Sequence, residues 1–137
     1  MLRATKKLLR DNAYAIAIFA TLSIAFLSLA RLNGKVPSFN FSNEDKLKHC
    51  FAYFILTLLW FFAVENTGAK KIKFRYMLFV FICLYGFLME FLQQLLTDYR
   101  QADFLDALAN ATGVFFAFLS YDTLLQLSRR IKVKTKE

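Results

Sequence analysis

The chain has few of the residues that mark disulfides and metal sites. Its 137 residues include two cysteines, one histidine and one proline. Cys50 and Cys83 both lie in apolar segments and have no metal-ligand spacing. We therefore expect free buried thiols and neither a disulfide nor a metal site. The sequence contains no HExxH signature, no repeat and no low-complexity tract, so nothing points to a metalloenzyme or a repeat protein, and no cofactor is predicted.

The basic residues lack the arrangement of a nucleic-acid-binding surface. The formal net charge is +8, yet the Lys and Arg residues gather at the ends of apolar runs. A nucleic-acid interface needs them along a polar face, interleaved with stacking aromatics. We expect no nucleic-acid partner and interpret the charge as a signal of membrane topology.

Apolar and aromatic residues dominate the composition of the chain. The composition is 58% hydrophobic and 18% aromatic, with 17 phenylalanines, whereas soluble domains are about 45–50% apolar. Long uncharged runs of this kind predict membrane-spanning helices. The length fits one membrane domain covering residues 1–137.

Four apolar segments predict an all-α fold, a four-transmembrane-helix antiparallel bundle. Each segment approaches the ~20 residues that a helix needs to cross the hydrocarbon core. The predicted spans are about 13–31, 47–64, 76–96 and 104–127. For the first, a cleaved signal peptide is the alternative, because Ser28-Leu29-Ala30 resembles a small-x-small cleavage site. Its apolar run exceeds the ~7–15 residues of a signal peptide, so we predict an uncleaved span.

The basic residues also predict the orientation of the bundle. If both termini are cytoplasmic, the N-terminal arm, the 65–75 loop and the C-terminal tail hold 13 of the 18 Lys and Arg residues. The positive-inside rule therefore predicts that both termini of this multi-pass protein lie in the cytoplasm. The turn between the third and fourth spans then lies at the outer face.

Scarce polar residues in the spans form stripes that begin at this outer face. At 100° per residue, Glu90 and Gln93 share one face of the third helix, and Asp103, Asp106 and Asn110 share one face of the fourth. Asp45 and His49 form a third stripe at the start of the second helix. Together with two nearby basic residues they make up the candidate ligand-binding site, which comprises Asp45, Lys46, His49, Glu90, Gln93, Arg100, Asp103, Asp106 and Asn110.

Structural roles compete with this interpretation. Asp103, Asp106 and Asp45 are also suited to stabilising the first turns of helices. Arg100 has acids nearby with which it can pair. Polar groups of different spans can also simply hydrogen-bond to each other and hold the helices together. Ionisable residues within a span are nevertheless functional candidates by default.

Three stretches of the sequence resemble the VanZ-like family of small bacterial membrane proteins. They are residues 45–54 (DKLKHCFAYF), 90–93 (EFLQ) and 100–113 (RQADFLDALANATG). The resemblance covers about residues 40–120. The resemblance implies a four-span protein of the bacterial cytoplasmic membrane. It also implies a link to glycopeptide (teicoplanin) tolerance through the family's first known member. It assigns no catalytic role to any residue.

Three functional hypotheses follow. The first is a protein that binds or modulates a membrane lipid or other cell-envelope ligand in an outward-facing polar pocket, with Lys46, Lys48 and Arg100 bonding to its anionic groups. The second is an intramembrane enzyme that acts on a lipid headgroup by acid–base chemistry, with His49, Glu90 and Asp106 as candidate catalytic residues. The third is a passive bundle whose polar residues only fix packing. Homo-oligomer formation stays open.

Overall fold

The computed structural model describes residues 2–30, 43–65, 71–97 and 103–134. These segments are helical and contain no β-strand, so the all-α prediction is confirmed. The helices are α1 (Leu2–Asp11), α2 (Ala13–Leu29), α3 (Glu44–Glu65), α4 (Lys71–Leu96) and α5 (Phe104–Lys134).

Three of these helices are long and apolar enough to cross a membrane. They are Glu44–Glu65 in α3, Ile72–Leu96 in α4 and Phe104–Leu127 in α5, and they contain the last three predicted spans. The shorter α2 falls within the predicted first span. Its 17 residues extend about 26 Å at 1.5 Å per residue, slightly less than the ~30 Å hydrocarbon core of a bilayer.

The N-terminal helix α1 was not predicted, because the sequence there has four basic residues and no long apolar run. Asn12 separates α1 from α2. Its side-chain amide donates to the Leu8 carbonyl at 2.8 Å, which caps the end of α1. Its own carbonyl accepts a hydrogen bond from Ile16 at 3.0 Å, which begins α2.

Consecutive helices of the bundle run antiparallel. Glu90 faces Asn110 near one end of α4 and α5, and Arg75 pairs with Asp122 near the other. The closest helix pair is instead the parallel pair α3 and α5. Its register is fixed at Gly113, where an added Cβ would lie 2.1 Å from the Cys50 carbonyl oxygen.

Polar contacts attach α2 to the rest of the bundle. The Trp60 indole donates to the Thr21 hydroxyl at 3.1 Å, and the Tyr85 hydroxyl donates to the Thr21 carbonyl at 2.7 Å. Further along, the Gln93 amide donates to the Ser28 carbonyl at 3.0 Å. Such interhelical hydrogen bonds are typical where there is no hydrophobic force between helices.

The core lies between α3, α4 and α5, and the outer faces are strongly apolar. Tyr53, Leu56, Ile82 and Val114 form the buried cluster. Many large apolar side chains are exposed on the outside, including Phe19, Phe26, Phe51, Phe81, Phe91 and Phe115. Apolar surface on this scale suits contact with lipid rather than water.

Candidate functional site

The start of α5 is built around Asp103. Its carbonyl accepts a hydrogen bond from the Ala107 amide at 3.2 Å, and its Oδ1 accepts one from the Leu105 amide at 2.8 Å. Asp103 is therefore the N-cap of α5. Its Oδ2 accepts a bond from Lys46 Nζ of α3 at 3.0 Å. The Leu105 amide first, and then Lys46, hold the pKa of Asp103 below its usual value. The capping alternative thus holds for Asp103, alongside a contact between helices.

The second carboxylate, Asp106, lies one turn further along α5. Its Oδ1 is 3.6 Å from Lys46 Nζ, and its Oδ2 is 3.9 Å from His49 Nε2. Asp106 therefore links the lysine at the edge of the site to the histidine below it.

His49 lies between carboxylates that belong to two different helices. Its Nδ1 is 3.1 Å from Asn110 Oδ1 and 3.5 Å from Glu90 Oε1. Both oxygens are hydrogen-bond acceptors, so Nδ1 carries a proton and donates it. Asn110 in turn donates from Nδ2 to Glu90 Oε1 at 3.4 Å. The imidazole is therefore oriented at one nitrogen by α4 and α5, and its other nitrogen points toward Asp106.

We call this set of six residues the polar cluster. It comprises Lys46, His49, Glu90, Asp103, Asp106 and Asn110. Exposure falls steadily through it, from 42% for the Asp103 side chain and 31% for Lys46 to 15% for Asp106, 11% for His49 and 6% for Glu90. The polar cluster is therefore open where the helices end and closed toward the middle of the bundle.

Glycine and tyrosine form the floor beneath the polar cluster. A Cβ added to Gly86 would lie 3.0 Å from Asn110 Cβ and 3.1 Å from Tyr53 Cε1. A small residue is therefore needed for α4 to approach this closely. Tyr53 is 2% exposed, and its hydroxyl makes no hydrogen bond within the described parts of the chain. A buried hydroxyl without a partner is rare and costly, and here it belongs to a ring that touches the floor of the polar cluster.

Two predicted site residues, Asp45 and Gln93, lie outside the polar cluster. Asp45 is exposed and makes no hydrogen bond or ion pair with any described residue. Gln93 is buried but links α4 to Ser28 of α2, so its contacts are structural. Arg100 lies outside the described residues. Lys48, expected to contact anionic groups of a ligand, forms an ion pair with Glu44.

Sequence reasoning missed a second polar contact at the opposite end of the bundle. Arg75 Nη1 donates to Asp122 Oδ1 at 2.7 Å, and the guanidinium lies 5.4 Å from the centre of the Tyr121 ring. The signal was present, since Asp122 is an isolated acid inside the last apolar segment. Because α4 runs antiparallel to α5, the basic start of α4 lies at the depth of Asp122.

The charges of the polar cluster limit what it can bind. It contains three carboxylates, one lysine and one histidine, and the lysine is already paired with two of the carboxylates. Free acceptor capacity therefore exceeds free donor capacity. Among the described residues, no group of three or more His, Cys, Asp or Glu side chains is arranged to hold a metal ion.

The chain matches no protein-family model, no curated protein and no solved structure. The resemblance to the VanZ-like family accordingly stays a prediction. What the fold establishes is an all-helical protein with three helices able to span a membrane.

Proposed function

We propose that the protein spans the bacterial cytoplasmic membrane four times, with both termini in the cytoplasm, and binds the polar headgroup of an envelope lipid in the polar cluster. Four spans are supported by α2, which carries no charged residue and is hydrogen-bonded to two of the long helices. A helix slightly shorter than the hydrocarbon core is accommodated by local thinning of the bilayer. The basic ends of the sequence support the orientation.

The observation that carries the proposal is the graded exposure of the interlinked groups around His49. Ionisable groups in a span are expensive and are kept where they serve a function. Helix association alone would be served by single part-buried contacts such as that between Gln93 and Ser28. Here three helices bring six polar side chains to one end of the bundle, with the most exposed ones at its edge.

The carboxylate oxygens of the polar cluster that can accept further hydrogen bonds indicate the chemistry of the ligand. The Asp103 carboxylate, which is 42% exposed, and Oδ2 of Asp106 accept hydrogen bonds from an ammonium or hydroxyl group. Lys46 lies at the same edge and can bond to the phosphate that accompanies such a group in a lipid headgroup. This differs from the sequence-based hypothesis, in which free basic residues bind an anion.

Lipid binding by purified protein tests the proposal. Native mass spectrometry would compare phosphatidylethanolamine and phosphatidylglycerol, which carry donor groups, with phosphatidylcholine, which has none. We expect donor-bearing lipids to bind more tightly by about tenfold, the equivalent of one charge-assisted hydrogen bond. Asp106→Asn should remove that preference, whereas Asp122→Asn at the opposite end should keep it. Equal binding of all three lipids would refute the proposal.

The resemblance to the VanZ-like family adds a cellular expectation. We propose that the protein raises tolerance to teicoplanin through the same polar cluster. Minimal inhibitory concentrations would be compared in cells with the wild type, with Asp106→Asn and without the protein. If Asp106→Asn raises the minimal inhibitory concentration as much as the wild type does at equal protein levels, tolerance does not depend on the polar cluster.

Acid–base catalysis on a lipid headgroup is the second candidate, because His49 is held between Glu90 and Asp106 on opposite sides of its ring. A histidine with one fixed nitrogen can exchange a proton at the other. Turnover of defined lipids by the wild type and by Glu90→Gln would test this. Activity lost with folding retained supports an enzyme. If Glu90→Gln instead fails to fold, the passive-bundle hypothesis gains support.

A further inference from the structure

The N-terminal helix α1 has an apolar side that the described parts of the protein leave exposed. Leu8 is 65% exposed and Leu9 is 46% exposed. Among the described helices, α1 makes no extended packing contact with α3, α4 or α5. An isolated helix of ten residues is marginal in water, so α1 needs a surface supplied from outside the bundle.

Its charges indicate what that surface is. Lys7 and Arg10 are exposed, and on a helix their mean direction lies about 180° from that of Leu8 and Leu9. The sequence of α1 contains two further basic residues, an arginine at position 3 and a lysine at position 6. Asp11, 3.7 Å from Arg10, is the only acid in the helix. Four basic residues against one acid favour an anionic partner.

The position of α1 indicates where that partner lies. Only Asn12 separates α1 from α2, and Ala13 at the start of α2 is already buried in the bundle. The helix therefore leaves the bundle at the end where Arg75 meets Asp122, which is the cytoplasmic end in the proposed orientation. A basic amphipathic helix placed there meets the headgroup region of the inner leaflet.

We propose that α1 lies on the membrane surface and binds anionic lipid headgroups of the cytoplasmic leaflet. Leu8 and Leu9 enter the boundary between headgroups and acyl chains, while Lys7 and Arg10 stay among the phosphates. The polar cluster lies at the other end of the bundle, so this second lipid contact is independent of the proposed headgroup site.

Single labelled cysteines test the proposal in the full chain. With Cys50 and Cys83 changed to alanine, an environment-sensitive fluorophore is attached at Leu8→Cys or, as the matched control on the charged side, at Lys7→Cys. Each protein is reconstituted into nanodiscs of phosphatidylcholine alone or of phosphatidylcholine and phosphatidylglycerol in equal parts. Acrylamide is the quencher, because a neutral molecule is not repelled by the anionic surface.

In the anionic nanodiscs we expect position 8 to be quenched at least about threefold less than position 7, and the difference to shrink in phosphatidylcholine alone. Equal quenching at the two positions would mean that α1 is solvated, and it would overturn the proposal. Protection of position 8 that is the same in neutral lipid and in detergent would also overturn it, because protein would then cover the leucines.

A charge reversal provides the second measurement. Lys7→Glu combined with Arg10→Glu should abolish the dependence on phosphatidylglycerol, while Asp11→Asn should retain it. All three positions are exposed, so the bundle should stay folded, as size-exclusion chromatography will verify. Lipid dependence that survives the charge reversal would contradict the proposal.

Discussion

The two ends of the bundle handle charge in different ways. At one end the polar cluster links three helices, and its exposure falls to 6% at Glu90. At the other end Arg75 and Asp122 form an isolated pair at 2.7 Å, with the Asp122 side chain 60% exposed. The isolated pair is shorter than any ion pair of the polar cluster, yet we expect it to matter less.

The comparison shows that the distance between two charged groups does not by itself indicate how much their contact stabilises the fold. In the Arg75–Asp122 pair the carboxylate stays solvated although the Arg75 side chain is only 13% exposed, so we expect the pair to contribute about 0–1 kcal/mol to stability. Removing one partner of a buried ion pair leaves the other charge buried without a partner. This lowers the free energy of unfolding by about 3–5 kcal/mol. The four predictions below test this ranking, starting with the largest expected effect.

The close approach of α3 and α5 beneath the polar cluster should be the least tolerant position. Gly113→Ala would place its Cβ 2.1 Å from the Cys50 carbonyl oxygen, a backbone atom that cannot move alone. We expect a loss of at least about 3 kcal/mol, or failure to fold, measured by thermal unfolding in detergent. Gly86→Ala, where the Cβ meets side chains at 3.0 Å or more, should cost less. Thr112→Ala is the control on the same helix. Equal stability of all three variants would disprove the close approach.

Glu90→Ala should come next. It removes the acceptor of the Asn110 amide and the neighbour of His49, both largely buried. We expect a loss of about 2–4 kcal/mol in the free energy of unfolding. Glu90→Gln retains an acceptor oxygen and should recover part of that loss. If Glu90→Ala lowers the free energy of unfolding no more than Asp122→Ala does, the expected difference between the two ends is contradicted.

Acid should weaken the end of the bundle that holds the polar cluster, because Asp103 loses its negative charge there. Its pKa is lowered in the folded state by the Leu105 amide and then by Lys46. A carboxyl of this kind stabilises the fold above its unfolded pKa and loses that contribution as the pH falls through the folded value. Unfolding midpoints should therefore fall below about pH 4, and Asp103→Asn should reduce that fall. Asp11→Asn, in the exposed α1, should leave the pH profile unchanged.

Asp122→Asn should have the smallest effect. The Arg75 guanidinium keeps its contact with the Tyr121 ring, 5.4 Å from its centre. We expect a change of about 1 kcal/mol or less in the free energy of unfolding, and a smaller change at high salt because the Asp122 carboxylate is exposed. Chemical unfolding at two salt concentrations will measure both. If Asp122→Asn lowers the free energy of unfolding more than Glu90→Ala does, the expected order of the two ends is wrong.

Much of the fold and the candidate site could be predicted because both depend on local periodicity. Apolar runs locate the three long helices, and the 100° rotation per residue puts Asp103, Asp106 and Asn110 on one face. The short turn between α4 and α5 makes those helices antiparallel neighbours, which brings Glu90 opposite Asn110. The binding role of these residues stays a prediction.

What could not be predicted depends on contacts between distant helices. The parallel pairing of α3 and α5 rests on Gly113 meeting the Cys50 carbonyl, and no pattern within one helix encodes it. That register turns Lys46 toward Asp103 and leaves the adjacent Asp45 exposed. α1 was missed because a short basic stretch gives no signal in a search for long apolar runs.

The attachment of α2 gives the protein a built-in optical reporter. Trp60 is the only tryptophan in the chain; its indole donates to Thr21, and its ring packs edge-on against Tyr14 at 6.2 Å. Both neighbours belong to α2. Release of this one helix should therefore change the emission colour and lifetime of the unmodified protein, so that its docking can be followed in real time without any label.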